Sequence, residues 1–424
     1  MTAAATPPGA APRLLHTLPQ VYAAAAVRLL LPLLVLPLVA ARVGADEFGR
    51  LSFILVWASL LSMIVEGGFL AAATRLAVTA AAPRRWQIAQ QVFTARCVLC
   101  VPAAVLSVLA VQVAGHSAQP WIDTLCIAAL ACALGWPATW YLQATQQLDR
   151  WARVELAVYL GMLAGCWAFA RSVPAYVALQ LTAASLLAWL GWRRVRLDFA
   201  GAGRPPLWDR SELGDGLRLG WTMMPVAIAG AAYSFALPAA ASLQMARSEL
   251  GTYFMADRIV RAVLNAAEPV FAVVYPRIVT RFAAGARAAF RYAGAWAIAG
   301  AIAGAALLAA GHLAWPAVEP LIVPRAGGLD AAGVRATLSI LGGLLPLLLG
   351  WKFIGYWMLG SGRFDTAYRT CVIVGGVVGV LAAATVGGAA GATGLAWTAL
   401  GAEAVVIAVA VAGVLLARHG RARG

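Results

Sequence analysis

Stretches of about twenty consecutive apolar residues recur along the whole chain, separated by short clusters of arginine, proline, glycine and acidic side chains. Coiled as a helix at about 1.5 Å per residue, each stretch spans a hydrocarbon layer about 30 Å thick. The pattern predicts an all-α polytopic membrane protein of about twelve spans, near 18–41, 49–74, 88–114, 121–146, 154–170, 175–192, 218–242, 251–275, 292–315, 337–358, 370–390 and 394–416. The longest break, 193–217, contains Gly201, Gly203, Pro205, Pro206 and Asp209 and reads as a linker between two halves.

The apolar pattern also repeats itself. Residues 48–75 lie over 250–277 without a gap at an offset of 202, so Gly49 meets Gly251, Glu66 meets Glu268 and Arg75 meets Arg277. Asp149 to Arg153 parallels Asp365 to Arg369 at an offset of 216. A longer loop at about 316–336 absorbs the difference. The repeat divides the chain into an N-terminal tail at 1–17, a six-helix bundle at 18–192, the linker at 193–217, a second six-helix bundle at 218–416 and a C-terminal tail at 417–424. An even number of spans per half makes the two bundles pseudo-symmetric about an axis along the membrane normal, with a substrate path expected between them.

Composition agrees with this reading: 62% of residues are hydrophobic and 12% charged, with no polar stretch long enough for a soluble domain. Residues 1–18 carry Pro7, Pro8 and Pro12 and lack the layout of a signal peptide, so the first span is expected to remain in the protein. In a soluble chain the net charge of +15 would suggest nucleic acid, but here the charges follow the loops. With both termini cytoplasmic, the inside segments hold 21 basic residues and the outside loops hold 6, namely Arg42, Arg50, Arg171, Arg247, Arg325 and Arg335. That asymmetry sets the orientation, and no nucleic-acid partner is expected. The six cysteines all fall in apolar segments, where Cys97-Val-Leu-Cys100 reads as packing rather than a redox motif. The four histidines lie at segment ends or in tails, so no metal or other cofactor is expected.

The eighth span carries unusual chemistry. Arg258, Arg261, Asn265 and Glu268 are spaced 3, 4 and 3 and form one stripe along a helix face, while Asp257 stands four residues before Arg261 and can pair with it. A charged stripe on an apolar span must face water or a partner helix. Arg28 and Arg96 add guanidinium groups in spans one and three. The guanidinium fork fits phosphate oxygens in two places, so these five residues, Arg258, Arg261, Asn265, Arg28 and Arg96, are the candidate substrate-binding set. Structural ion pairing or snorkelling is the competing reading. The candidate ion-coupling acids are Glu66, Glu268, Asp257 and Glu403, with Glu155 a further buried acid in span five, because a desolvated carboxyl can exchange a proton near neutral pH. Lys352, the only lysine, is expected to snorkel. Pro32, Pro37, Pro238, Pro269 and Pro346 are expected to kink their spans.

Longer motifs carry a resemblance. Leu36-Pro37-Leu38-Val39-Ala40-Ala41-Arg42-Val43-Gly44-Ala45-Asp46-Glu47-Phe48-Gly49 resembles the opening of the Wzx-type polysaccharide-biosynthesis flippases, whose superfamily also holds the MATE exporters and lipid II flippases. Ala73-Thr74-Arg75, the Trp136 to Gln143 segment, Leu250 to Arg261 with Val274-Tyr275-Pro276-Arg277, and Gly391 to Ala396 with Glu403 are similar to further family motifs, collinear over about 18–416. Gln143-Ala144 departs from the family's Gln-Gly, and Asp257-Arg258 stands where Glu-Lys is common. The resemblance implies a flippase that carries an undecaprenyl-pyrophosphate-linked oligosaccharide across the bacterial inner membrane. It also implies a coupling proton or sodium ion and a polysaccharide polymerase complex as a further partner. Twelve spans rather than fourteen favour the O-antigen or exopolysaccharide branch. The alternatives are a MATE-type exporter, whose cationic substrates would suit an acidic cavity, and a membrane polymerase or glycosyltransferase, which normally carries a large periplasmic loop that this chain lacks.

Overall fold

A computed structural model describes residues 33–115, 119–199, 206–224, 235–282, 285–323, 328–360 and 364–419. A short helix α1 (Leu33–Val43) turns at Gly44, whose φ of 84° suits a residue without a side chain, into α2 (Ala45–Glu66). Asp46 and Glu47 sit in the first turn of α2, where negative charge complements the exposed N–H groups. The helix stops at Gly67 and Gly68, both left-handed with φ of 62° and 75°, and restarts as α3 (Phe69–Thr79). An apolar run that reads as one span is therefore two helices.

The remaining elements are α4 (Ala82–Ala114), α5 (Pro120–Gly135), α6 (Thr139–Ala144), α7 (Leu148–Phe169), α8 (Val173–Asp198), α9 (Leu213–Trp221), α10 (Leu237–Ala241), α11 (Arg247–Ala266), α12 (Glu268–Arg281), α13 (Ala286–Ile322), α14 (Ala331–Gly342), α15 (Leu344–Gly360), α16 (Asp365–Ala382) and α17 (Gly391–His419). A π-helical stretch, Ala383–Gly387, continues α16. Among the described residues, nine helical segments are long and apolar enough to cross a membrane, and they coincide with expected spans two to six and nine to twelve. Most of expected span one, with Pro32, and residues 225–234 of span seven lie outside the described residues. Span eight is present as α11 and α12, too charged to count among the apolar segments.

Several boundaries differ from expectation. Helix α13 runs to Ile322 through Pro316 and Pro320, so the first part of the expected loop at 316–336 is helical. Helix α8 continues to Asp198, and the described later part of the expected linker, from Pro206 to Glu212, is fastened to α4. Gln90 donates to the Pro206 carbonyl at 2.8 Å, the Asp209 N–H donates to Thr94 Oγ1 at 3.0 Å, and Gln87 and Gln91 both donate to the Glu212 carboxylate at 2.7 Å. Polar side chains on a helix buried under a connection are satisfied by that connection's backbone and acids. Ser211 donates to Asp209 through its hydroxyl and its N–H, which holds that carboxyl below its usual range. Pro238 and Pro269 stand in the first turns of α10 and α12, where a missing N–H costs little, and Pro269 follows directly on the break at Ala267 that interrupts span eight. Pro346 likewise lies near the start of α15, after the break at Gly343.

One core cluster is built by α3, α4 and α6–α8 and another by α12, α13 and α15–α17. The largest cluster runs across both parts of the chain through α2, α5, α8, α11 and α17. Its centre is the crossing of α2 and α11. There Gly49 lies so close to the Arg247 carbonyl that a Cβ would overlap it, and a Cβ on Gly251 would stand 3.1 Å from the Phe48 ring. Phe48 and Phe254 meet edge to face at 6.4 Å, and the Trp57 indole donates to Ser242 Oγ at 3.0 Å. The repeated glycines thus let two backbones approach, as small residues do in membrane helix packing.

Candidate functional site

The charged face of α11 changes environment along its length. Asp257 is buried, Arg258 and Arg261 are half-buried, and Asn265 and Glu268 are exposed. Asp257 pairs with Arg261 at 2.7 Å, as the four-residue spacing predicts. Arg258 lies over the Phe254 ring at 4.4 Å from its centre, and its Nε finds no hydrogen-bond partner among the described residues. Across the molecule it is within electrostatic reach of Tyr176 on α8. Arg261 is in the same relation to Glu403 on α17, a carboxylate that is only 7% exposed.

Arg96 on α4 is 1% exposed and donates to the carbonyls of Trp136 and Pro137 at 2.8 and 2.9 Å. These carbonyls belong to the break between α5 and α6, left without helical partners by Pro137 and the end of the helix. The Trp192 indole donates to the same Trp136 carbonyl at 3.0 Å. Arg96 therefore closes a helix end, and it is within electrostatic reach of Glu66. Glu66 in turn accepts the N–H groups of Gly68 and Leu70 at 2.9 and 2.6 Å and caps α3. Both residues line a cavity of about 370 Å³ within the N-terminal part of the chain, together with Trp151, Glu155, Tyr159, Tyr176 and Gln180.

Two expectations are corrected here. Glu268 is not a buried acid: it opens α12 with its side chain 54% exposed and forms an ion pair with Lys352. Lys352 accordingly does not snorkel but pairs with Glu268, its ammonium 4.3 Å from the Phe271 ring centre. The cause is the helix break at Ala267, which turns the Glu268 side chain out of the α11 stripe and toward α15. Arg28 lies outside the described residues.

Arg50 departs furthest from its expected place in an outside loop. It lies within α2, 6% exposed, with Asp123 2% exposed at 2.7 Å, and it also reaches Glu47 and Gln119. Arg42 ends α1 and donates to the carbonyls of Cys166 and Trp167 at 3.0 and 2.7 Å, closing the end of α7. Sequence reasoning missed Tyr176 and Gln180. No charge or motif marks either; both line the cavity, and Tyr176 is in addition within electrostatic reach of Arg258.

A multi-helix membrane bundle with broken helices and charged faces resembles in fold two kinds of solved membrane protein, MurJ and the MATE transporters. The lipid II flippase MurJ in an inward closed conformation superposes with a TM-score of 0.70 at 9% identity, over 94% of this chain and 87% of that one. An inward-facing multidrug resistance MATE transporter gives 0.61 at 14% identity over 92% and 95% of the two chains. A eukaryotic MATE transporter gives 0.58 at 13% over 97% and 99%. A comparison with curated proteins gives no match. The chain belongs to the polysaccharide biosynthesis protein family, whose profile it matches over residues 21–282.

Proposed function

We propose that this multi-pass membrane protein is a flippase that carries an undecaprenyl-pyrophosphate-linked oligosaccharide repeat unit, an O-antigen or exopolysaccharide unit, from the inner to the outer leaflet of the bacterial inner membrane. Transport proceeds by ion-coupled alternating access between an N-terminal and a C-terminal bundle, with both termini cytoplasmic. The observation that carries this reading is Arg258, whose buried Nε has no hydrogen-bond partner among the described residues and whose guanidinium lies within electrostatic reach of Tyr176 on α8. An unpaired buried donor is costly, and an anionic ligand is what satisfies it. With the start of α11 outermost, the stripe is closed outside by the Gly49–Gly251 crossing and opens through Asn265 toward the cytoplasm, where such a lipid would be loaded. Arg261 supplies a second positive charge one turn on; Arg28 and Arg96 stay as flanking basic groups, the latter mainly closing a helix end.

Among the candidate coupling acids, Asp257, Glu66 and Glu268 have direct partners, which leaves Glu403 as the best placed. A cationic drug is a poorer cargo for this face, because the unsatisfied donor is itself part of a guanidinium, with a second arginine one turn on.

The test is complementation of surface polysaccharide together with flipping in reconstituted vesicles. Arg258→Ala is expected to insert normally and lose transport, and Arg258→Lys to recover part of it, because a point charge restores attraction but not two-pronged geometry. Normal flipping by Arg258→Ala and Arg261→Ala alike would reduce the stripe to an ion-pair face and remove this reading.

A further inference from the structure

The cavity in the N-terminal part contains groups that the pyrophosphate reading leaves unused. Arg96 Nε and Gln180 Oε1 are buried without hydrogen-bond partners among the described residues, so one guanidinium donor and one amide acceptor stand unsatisfied in the same enclosure. Glu66 and Glu155 add carboxylates, and Trp151, Tyr159 and Tyr176 add aromatic surface. Trp151 donates its indole N–H to Glu155 at 3.0 Å, which holds that carboxylate in the wall. The volume of about 370 Å³ lies at the small end of the roughly 300–1,000 Å³ typical of ligand pockets.

These groups select among ligands. A pyrophosphate would place its charge beside two carboxylates. An alkyl chain would leave the Arg96 donor and the Gln180 amide oxygen unsatisfied. A bare cation would meet the Arg96 guanidinium. A sugar ring satisfies the whole set, because its hydroxyls both donate to acids and amides and accept from a guanidinium, and its C–H faces lie against aromatic rings. Tyr176 belongs to the cavity wall and is also within electrostatic reach of Arg258, so a phosphate held at Arg258 would have its glycan in the neighbourhood of this space.

We infer that the cavity between α2, α4, α7 and α8 is a saccharide subsite, built to receive a sugar ring of the lipid-linked oligosaccharide while Arg258 holds the pyrophosphate. The inference rests on the flippase reading and adds a place where cargo is distinguished by its glycan.

The experiment compares two lipids bound to purified protein: undecaprenyl pyrophosphate alone, and undecaprenyl pyrophosphate carrying one hexose. Wild type is expected to prefer the glycosylated lipid. Gln180→Ala removes one acceptor and is expected to reduce that preference by about 2- to 10-fold, the range for one neutral hydrogen bond, with affinity for the bare lipid unchanged. Ala184→Trp places an indole in the cavity wall and is expected to abolish the preference. Gln180→Ala, being smaller, keeps the test decisive if the tryptophan variant does not fold. A preference untouched by either variant, or an equal loss for both lipids, overturns the subsite. A sodium- or proton-dependent change in place of a sugar-dependent one overturns it too. Wild type that binds neither lipid overturns the flippase reading itself, an outcome separate from the others.

Discussion

Lys352 on α15 meets Glu268 at the start of α12, 84 residues away in sequence, with its ammonium over the Phe271 ring. The acid at the corresponding place of the repeat, Glu66, has the Arg96 guanidinium within electrostatic reach. Each acid thus stands at a break in a helix and has a cation brought to it by a different helix, yet the two pairs differ in setting. The Lys352 and Glu268 side chains are 35% and 54% exposed, whereas Arg96 is sealed in.

Exposure sets the expected effect. An ion pair open to solvent is worth at most about 1 kcal/mol, because water screens it and both side chains lose freedom. Lys352→Met and Glu268→Gln should each lower the melting temperature in detergent only slightly, and the exchange Lys352→Glu with Glu268→Lys should recover most of what either reversal alone loses. A loss of several kcal/mol from Lys352→Met would mean that the pair is far better shielded than its exposure indicates.

Arg50 and Asp123 make the opposite case. Both are nearly excluded from solvent, so removing Arg50 takes from a buried carboxylate the guanidinium that pairs with it at 2.7 Å. Arg50→Ala should destabilise by about 3–5 kcal/mol. Arg50→Leu with Asp123→Leu should restore much of that, since an apolar pair of similar shape avoids the desolvation cost. Thermal melts of the three variants decide it, and equal melting of the single and double variants would contradict the argument.

The contrast shows what the sequence could convey. Apolar runs located the helices because length and hydrophobicity decide whether a segment can span a bilayer, and Asp257–Arg261 was legible because both residues lie one turn apart on a single helix. Arg50–Asp123 and Lys352–Glu268 were not, since packing brings their partners from 73 and 84 residues away. The break at Gly67-Gly68 had a signal, two adjacent glycines, but the apolar pattern runs straight through it. Gln180 had none: an amide in a span becomes informative only when its oxygen is found without a partner.

The crossing of α2 and α11 gives a third prediction. A methyl group on Gly49 has no room, because the overlapping atom is the backbone carbonyl of Arg247 and cannot rotate away. Gly49→Ala should therefore cost about 1–3 kcal/mol by overpacking and hold the two helices apart. Gly251→Ala should cost less, since its nearest neighbour is the Phe48 ring at 3.1 Å, a side chain that can shift. Accessibility of a cysteine placed at Ser52, fully buried in this structure, reports the separation. Labelling should rise in Gly49→Ala over a background with wild-type glycine, and labelling that stays at background would leave the crossing tolerant of a side chain.

Glu403 is the last test, and it bears on energy coupling. Protonating Glu66 would cost α3 its cap, and protonating Asp257 or Glu268 would break an ion pair. Glu403 is 7% exposed, with no direct hydrogen bond among the described residues and Arg261 within electrostatic reach. Loss of its charge removes a buried anion without breaking a contact and makes the field at Arg261 more positive, so it draws an anionic headgroup toward the α11 face. Glu403→Gln fixes the neutral form. It should fold as well as wild type and bind lipid pyrophosphate at least as tightly. Its flipping under an imposed proton gradient should fall by about tenfold or more, equivalent to about 1.4 kcal/mol on the limiting step, and should no longer respond to the gradient's size. Asp257→Asn should instead destabilise the protein, because it removes the charge of the buried carboxylate that pairs with Arg261 at 2.7 Å. If Glu403→Gln flips lipid with the gradient dependence of wild type, the coupling group lies elsewhere.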